Sequence, residues 1–414
     1  MKKFLFTIVC ILFVFGSSAQ RKVLFIGNSY TAANNLSQLV KDLALSSGEG
    51  LIVQAHSPGG TRLSDHATDP MVFNLLRSDN WDYVVLQAQS QEPSWPINQV
   101  QSEVFPYAKI LCDSIRAINP CSMPLFYMTW GRKNGDQMNC PTWPPVCTYQ
   151  GMDSLLNLRY RMMAEDNDAY VSPVGAIWHY IRDNYPNIEL YEPDESHPSL
   201  AGSYLAACAF YAMIFEKDPS NITNDYNLIP TEALAIRNAA KVIVFDSLSK
   251  WNVGKYIPVA DFEFVNDSNR VSFTNKSIYG LSYVWDFGDG ILSPEENPIH
   301  FFNADGEYMV KLEVTKCGQI DSFSKKVTIL TIGMGNSLKR SLHIFPNPTS
   351  GLIEISNSQA IESIIVLDQQ GRIVMSIGQL KENYLDISSL ENGIYFLKIQ
   401  LQNESELVRK VIKK

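Results

Sequence analysis

From Arg21 to about Tyr256 the chain repeats one pattern, a short apolar run followed by a longer amphipathic stretch. Lys22–Ile26, Leu51–Ala55, Tyr83–Leu86 and Pro124–Met128 are β-rich runs, and Tyr170–Val171 is a weaker one. After the first, Leu36, Leu39, Val40, Leu43 and Ala44 recur at helical spacing until Gly48 stops the helix. Short apolar strands that alternate with helices predict an α/β fold, a parallel sheet with helices on both faces. At 414 residues the chain is too long for one such domain.

The texture changes near Pro258. Phe262–Phe264, Val271–Phe273, Tyr283–Trp285, Tyr308–Val314 and Lys326–Ile329 are short alternating segments separated by turns such as Asp289-Gly290 and Asp305-Gly306. They predict a small antiparallel sandwich. Gly333, Gly335, Asn336 and Ser337 mark 331–342 as a linker. A second all-β module follows over 343–414, with strand-like runs at Leu352–Ile355, Ser363–Val366, Arg372–Met375, Tyr395–Ile399 and Leu407–Ile412.

Ligands of a parallel sheet collect outside the carboxyl ends of its strands. Ser29, Gly60 and Gln87–Gln91 each follow such an end. Ser29 opens the first helical region, where free backbone N–H groups favour developing negative charge; taken alone, it reads only as a helix-cap or turn serine. Asp194-Glu195-Ser196-His197-Pro198 adds a base and an acid on one tight turn ahead of a helix. His197 would deprotonate Ser29 while Asp194 holds the other ring nitrogen, which activates an otherwise weak hydroxyl. Glu195 is the rival carboxylate and is expected to face solvent.

These residues resemble the SGNH (GDSL-type) hydrolase family over 21 to about 216. Gly27-Asn28-Ser29-Tyr30-Thr31 is similar to its first block, with Asn28 in place of the usual aspartate; Gly59-Gly60 resembles the oxyanion-glycine block, and Asp194-x-x-His197-Pro198 the last. The resemblance implies a flavodoxin-like three-layer α/β/α domain, no cofactor or metal, and attack by Ser29 on an ester carbonyl. The oxyanion would be held by the N–H groups of Ser29 and Gly60 and by a side-chain amide. The family's Gly-x-Asn-Asp block is missing, and Leu86-Gln-Ala-Gln-Ser-Gln-Glu92 stands there instead. A glutamine can also donate to an oxyanion. Gln89 is favoured, with Gln87 or Gln91 as alternatives.

After the fourth strand, Trp130 and Arg132 are expected to border substrate. With Trp95, Trp143 and Tyr149 they form either a sugar-stacking wall or a packed aromatic loop. His56, His66 and His179 are expected to be ordinary polar or capping residues.

Tyr283-Val-Trp285-Asp-Phe-Gly-Asp289-Gly290 resembles the PKD domain, an immunoglobulin-like sandwich, over 257–330. Ile344-Phe-Pro-Asn-Pro-Thr-Ser-Gly351 and the basic end Val408–Lys414 resemble the C-terminal sorting domain of type IX secretion over 343–414. That implies the type IX machinery as a partner and a place outside the cell or on its surface. Lys2, Lys3, the apolar run Phe4–Phe15 and small residues to Ala19 predict a Sec signal peptide at 1–19, with the hydrolase domain over 20–256. No other stretch is long and apolar enough to span a bilayer.

A net charge of −9 argues against nucleic acid as a partner. In an exported chain Cys140 and Cys147 are the best disulfide candidates, since prolines and a short loop hold them together. Cys112 with Cys121 is a weaker candidate, and Cys208 and Cys317 are left open between thiol and disulfide.

The expected function is a secreted serine ester hydrolase, a carbohydrate O-acetyl esterase by analogy. The alternatives are a non-catalytic glycan-binding or adhesive protein on a hydrolase shell, and a lipase or thioesterase for longer acyl chains.

Overall fold

The computed structural model describes residues 20–330, 342–356, 361–380, 382–402 and 406–414. The expected signal peptide, and the expected linker apart from Leu342, lie outside them. The chain divides into two compact units, Met1–Ile257 and Pro258–Lys414.

The first unit is built on five parallel strands, β1 Arg21–Ile26, β2 Leu51–His56, β3 Tyr83–Leu86, β4 Met123–Tyr127 and β5 Tyr170–Ser172. Their order is β2-β1-β3-β4-β5, and Val23 pairs with Val53 on one side and Tyr83 on the other. Every residue from Val23 to Ile26 and from Val84 to Leu86 is fully buried, as strands covered on both faces require.

Right-handed crossovers decide which helix goes where. The chain moves one way from β1 to β2 and the other way from β2 to β3 and onward, so Leu36–Ser46 and the later helices 70–78, 105–118 and 149–166 fall on opposite faces. Leu200–Phe215, apolar nearly all round, packs beside Leu36–Ser46. The expected helix face at Leu36, Leu39, Val40, Leu43 and Ala44 is the buried one. The direction of winding reverses between β1 and β3, which opens a crevice at their carboxyl ends.

In the second unit, β6 Phe262–Asp267, β7 Arg270–Asn275 and β10 Ile299–Phe301 form one antiparallel sheet. β8 Ser282–Asp286, β9 Leu292–Ser293, β11 Gly306–Lys316 and β12 Gln319–Ile329 form the other. Phe262, Phe273, Trp285 and Leu312 fill the space between. Trp285 is fully buried, with its indole N–H donated to the Glu295 carbonyl at 2.9 Å. Asp289 accepts from His300 Nε2 at 2.6 Å, so the turn residue has a structural task.

The last module pairs β13 Ile344–Phe345, β14 Leu352–Ile355 and β17 Tyr384–Asp386 in one sheet. The other holds β15 Ile361–Leu367, β16 Ile373–Ile377, β18 Gly393–Leu401 and β19 Glu406–Lys413. Leu342, at the edge of the expected linker, belongs to this module's apolar core. Strands β9, β10, β13 and β17 are additional to those expected; each is only two or three residues long, too short to show alternation.

Cys140 and Cys147 form a disulfide. The Cys112–Cys121 pairing is not formed, because Cys112 is a buried free thiol inside the helix 105–118 and Cys121 is disulfide-bonded. Burial pushes the Cys112 thiol up to about 12. Of the two cysteines left open, Cys208 is a buried free thiol and Cys317 is disulfide-bonded.

Candidate active site

Gly27 carries the chain out of β1 through a gap that only glycine fits. A Cβ there would lie 2.3 Å from Thr31 Oγ1 and 2.7 Å from Gln87 Oε1. Asn28 then organises the turn. Its backbone N–H donates to Gln87 Oε1 (3.0 Å), its Oδ1 accepts from Tyr30 N (3.2 Å), and its Nδ2 donates to the Thr61 carbonyl (3.2 Å). Asparagine thus caps the helical turn Ser29–Ala32 and ties it to the loop that carries Gly60. Gly60 is exposed and left-handed, with φ +74°.

On the far side of the crevice, Asp194 Oδ1 accepts from the backbone N–H groups of Ser196 (3.0 Å) and His197 (2.9 Å). Its Oδ2 accepts from His197 Nδ1. Partial burial works against the charge, but the bonds from the His197 ring and from both backbone N–H groups outweigh it and hold the carboxyl below its ordinary value. With Nδ1–H given to Asp194, Nε2 is the accepting nitrogen, and it stands 2.8 Å from Ser29 Oγ. Glu195, at φ +60°, points out to accept from Asn134 Nδ2 at 2.9 Å. The structure therefore joins Ser29, His197 and Asp194 and leaves Glu195 aside.

Two contacts that the sequence reading missed hold this geometry. Tyr30 Oη and Ser196 Oγ share a hydrogen bond of 2.6 Å. Trp130 stacks between Tyr30 (4.8 Å) and Trp178 (3.8 Å) and donates its indole N–H to the Ser196 carbonyl at 3.2 Å. Trp130 is fully buried, which corrects its expected role: it buttresses the His197 turn and offers no face to a sugar. Tyr149 is buried too, beneath the Arg182 guanidinium. Arg132 stays partly exposed, 3.6 Å from the buried Asp136 carboxylate.

The glutamines separate by their partners. Gln87 is fully buried and spent, since its Oε1 accepts from Asn28 N and Thr31 Oγ1 and its Nε2 donates to Asn28 Oδ1 and the Ala88 carbonyl. Gln91 donates to Asp136 Oδ2 at 2.8 Å. Gln89 is half-buried, with its Oε1 held by the N–H groups of Gln91 (2.8 Å) and Glu92 (3.3 Å). Its amide nitrogen has only a long 3.4 Å contact to Gln91 Oε1. Anchored through its oxygen, Gln89 keeps an N–H to give.

Three other histidines of the first unit have structural partners. His56 donates to Asp69 (2.8 Å), His179 to Asp153 (3.0 Å), and His66, fully buried, to the Gly27 carbonyl (2.9 Å). Desolvation holds the His66 ring below its ordinary pKa, so it supports β1's end as a neutral donor. Among the described residues no group of three or more His, Cys, Asp or Glu side chains is placed to hold a metal ion.

Residues 258–330 match the PKD domain family, and residues 343–414 match the secretion system C-terminal sorting domain family. The latter marks the protein for type IX secretion to the cell surface or beyond it. No helix among the described residues is long and apolar enough to cross a membrane. A microbial collagenase of Vibrio alginolyticus is 25% identical over 169 residues, 41% of this chain; the chain spans 19% of that protein's length. A DUF4886 family protein from Bacteroides uniformis is a similar solved structure, at 17% identity and a TM-score of 0.48 over 56% of this chain and 95% of that one. Another is a putative SGNH hydrolase from Slackia heliotrinireducens, at 25% identity and a TM-score of 0.39 over 46% and 97%. By its β2-β1-β3-β4-β5 parallel sheet the first unit is a three-layer α/β domain, which this chain joins to a PKD domain and a secretion system C-terminal sorting domain.

Proposed function

We propose that the protein is a secreted serine ester hydrolase of SGNH type that removes O-acetyl groups from carbohydrate. The observation that carries the reading is the 2.8 Å contact of His197 Nε2 with Ser29 Oγ, backed by Asp194 on Nδ1. Ser29 Oγ attacks the ester carbonyl as His197 takes its proton. The tetrahedral oxyanion is received by the N–H groups of Ser29 and Gly60 and by the Gln89 amide. As the intermediate collapses, the imidazolium returns the proton to the departing sugar hydroxyl. Water, deprotonated by the same imidazole, then releases acetate from Ser29.

Exposure of the site supports a short acyl group on a bulky polar alcohol. The His197 side chain is 38% exposed and that of Asp194 50%, an openness that suits a polymer and gives little cover to a long acyl chain. Arg132 is the remaining candidate for contact with the sugar. Export would begin with a signal at residues 1–19. The test is a panel of p-nitrophenyl esters of rising chain length together with acetylated glycans, comparing the wild type with Ser29→Ala. The reading expects acetate preferred and the Ser29→Ala rate near background; retained activity in that variant refutes the nucleophile.

A further inference from the structure

One buried charge next to the site has no part in the triad. Glu92 follows the Gln87–Gln91 stretch and is 1% exposed, yet it carries a carboxylate. Its Oε1 accepts from Arg62 Nε. Arg62 comes two residues after Gly60, on the loop beyond β2, and its guanidinium also reaches Glu103 (3.2 Å) and lies over the Trp95 ring (5.4 Å). Glu92 is desolvated while the Arg62 side chain stays 39% exposed, and the desolvation of the carboxylate rivals the attraction that the pair returns. Its presence here therefore calls for a geometric reason.

The connections on either side supply one. The loop of Gly60 is fixed at one end by Asn28 Nδ2 on the Thr61 carbonyl, and at the next residue by Arg62 on Glu92. The loop of Gln89 is fixed by the Glu92 backbone N–H on Gln89 Oε1. Glu92 thus touches one loop with its side chain and orients the other's amide with its backbone. We infer that the Arg62–Glu92 ion pair is a positioning pair, one that locks the two oxyanion loops together so that Gly60 and Gln89 converge in front of Ser29. The inference rests on the esterase reading above.

The test uses the full chain and follows kcat, KM and the melting temperature with an acetyl ester. Glu92→Gln keeps the shape and removes the buried charge; Arg62→Met with Glu92→Gln removes both charges and leaves neither unpaired. Each is expected to lower kcat about tenfold with KM held within about twofold, the pattern of an interaction used only in the transition state. Neither is expected to lower the melting temperature, and Arg62→Lys, which keeps the charge, should restore most of the rate. In a Gln89→Ala background Glu92→Gln should cost less than it does alone, since the part of its effect that runs through the Gln89 donor is already lost.

An unchanged kcat, the same loss with and without Gln89, or a loss matched by a fall in melting temperature would each overturn the inference. Ser29→Ala measured alongside separates the two claims. Hydrolysis that survives it refutes the nucleophile and this pair together, whereas Ser29-dependent hydrolysis indifferent to Glu92→Gln refutes the pair alone.

Discussion

Tyr30 Oη and Ser196 Oγ share a 2.6 Å hydrogen bond, which joins the residue after the nucleophile to the residue before the base. Ser29 and His197 sit on turns far apart in sequence, so their 2.8 Å contact depends on such a brace. Tyr30→Phe keeps the ring stacked on Trp130 and removes the hydroxyl that bonds Ser196 and also meets Ser90, leaving a buried Ser196 hydroxyl to find another partner. It should cost about 1 kcal/mol of stability, read by denaturant titration, and should lower kcat with KM little changed. An unchanged kcat would mean that the two turns hold themselves in place.

Asp194 and Glu195 are adjacent but differ in task. Asp194→Asn reverses the hydrogen-bonding preference on His197 Nδ1 and should lower kcat by about 10³–10⁴. Glu195→Gln, out on the Asn134 side, should stay within about twofold, inside the range of ordinary surface substitutions. Comparable losses in both would reopen the choice of acid. The lowered Asp194 pKa also has a stability consequence. The stabilisation it brings is full above the ordinary 3.8 and is lost as pH falls through the lower folded value. The melting temperatures of wild type and Asp194→Asn should therefore converge only in that acid range.

A scan of the three glutamines should split them by role. Gln89→Ala should lower kcat by about a hundredfold with KM nearly unchanged, as for loss of one oxyanion donor. Gln87→Ala should instead act on folding, because it strips partners from Asn28 and Thr31 in the buried turn; about 2–3 kcal/mol is expected. Gln91→Ala should fall between, through its bond to Asp136. The kcat values and denaturation midpoints of the three variants decide the matter.

Glu92 makes a prediction with an unusual sign. Burial pushes its carboxyl above the ordinary 4.5 despite the Arg62 partner; Glu103 and Asp65, also facing it, push the same way. The unfolded chain therefore ionises first, so the charged carboxylate weighs against folding above the folded pKa, and this cost fades as pH falls toward 4.5. Glu92→Gln should melt above the wild type at neutral pH and lose that advantage near pH 4. Arg62 keeps Glu103 as a partner in the variant, so no cation is stranded. A lower melting temperature at neutral pH would contradict this.

The α/β sheet was legible because β1, β3 and β4 are largely apolar on both faces, and Ser29, His197 and Asp194 because each follows or precedes a marked turn. Glu195 was separable from Asp194 since adjacent residues on a tight turn point apart. Trp130 was misread: an aromatic residue at a strand's carboxyl end looks alike whether it lines a crevice or fills it, and only the stack against Tyr30 and Trp178 tells them apart. The choice among glutamines was open because identical side chains differ only in partners brought from elsewhere, Asn28 and Thr31 for Gln87 and Asp136 for Gln91. Cys112 and Cys121 are close in sequence, but the intervening helix turns Cys112 into the core. The Arg62–Glu92 pair carried no signal, since nothing in sequence distinguishes a buried glutamate from a solvated one.

In the proposed mechanism Ser29 is the nucleophile, activated by His197. Its most direct test is labelling of the folded protein with a fluorophosphonate, followed by mass mapping of the modified peptide. The account predicts a single adduct on Ser29, absent in Ser29→Ala and formed far more slowly in His197→Ala. An adduct on another residue, or acetyl-ester hydrolysis by a protein whose Ser29 stays unlabelled, would contradict it.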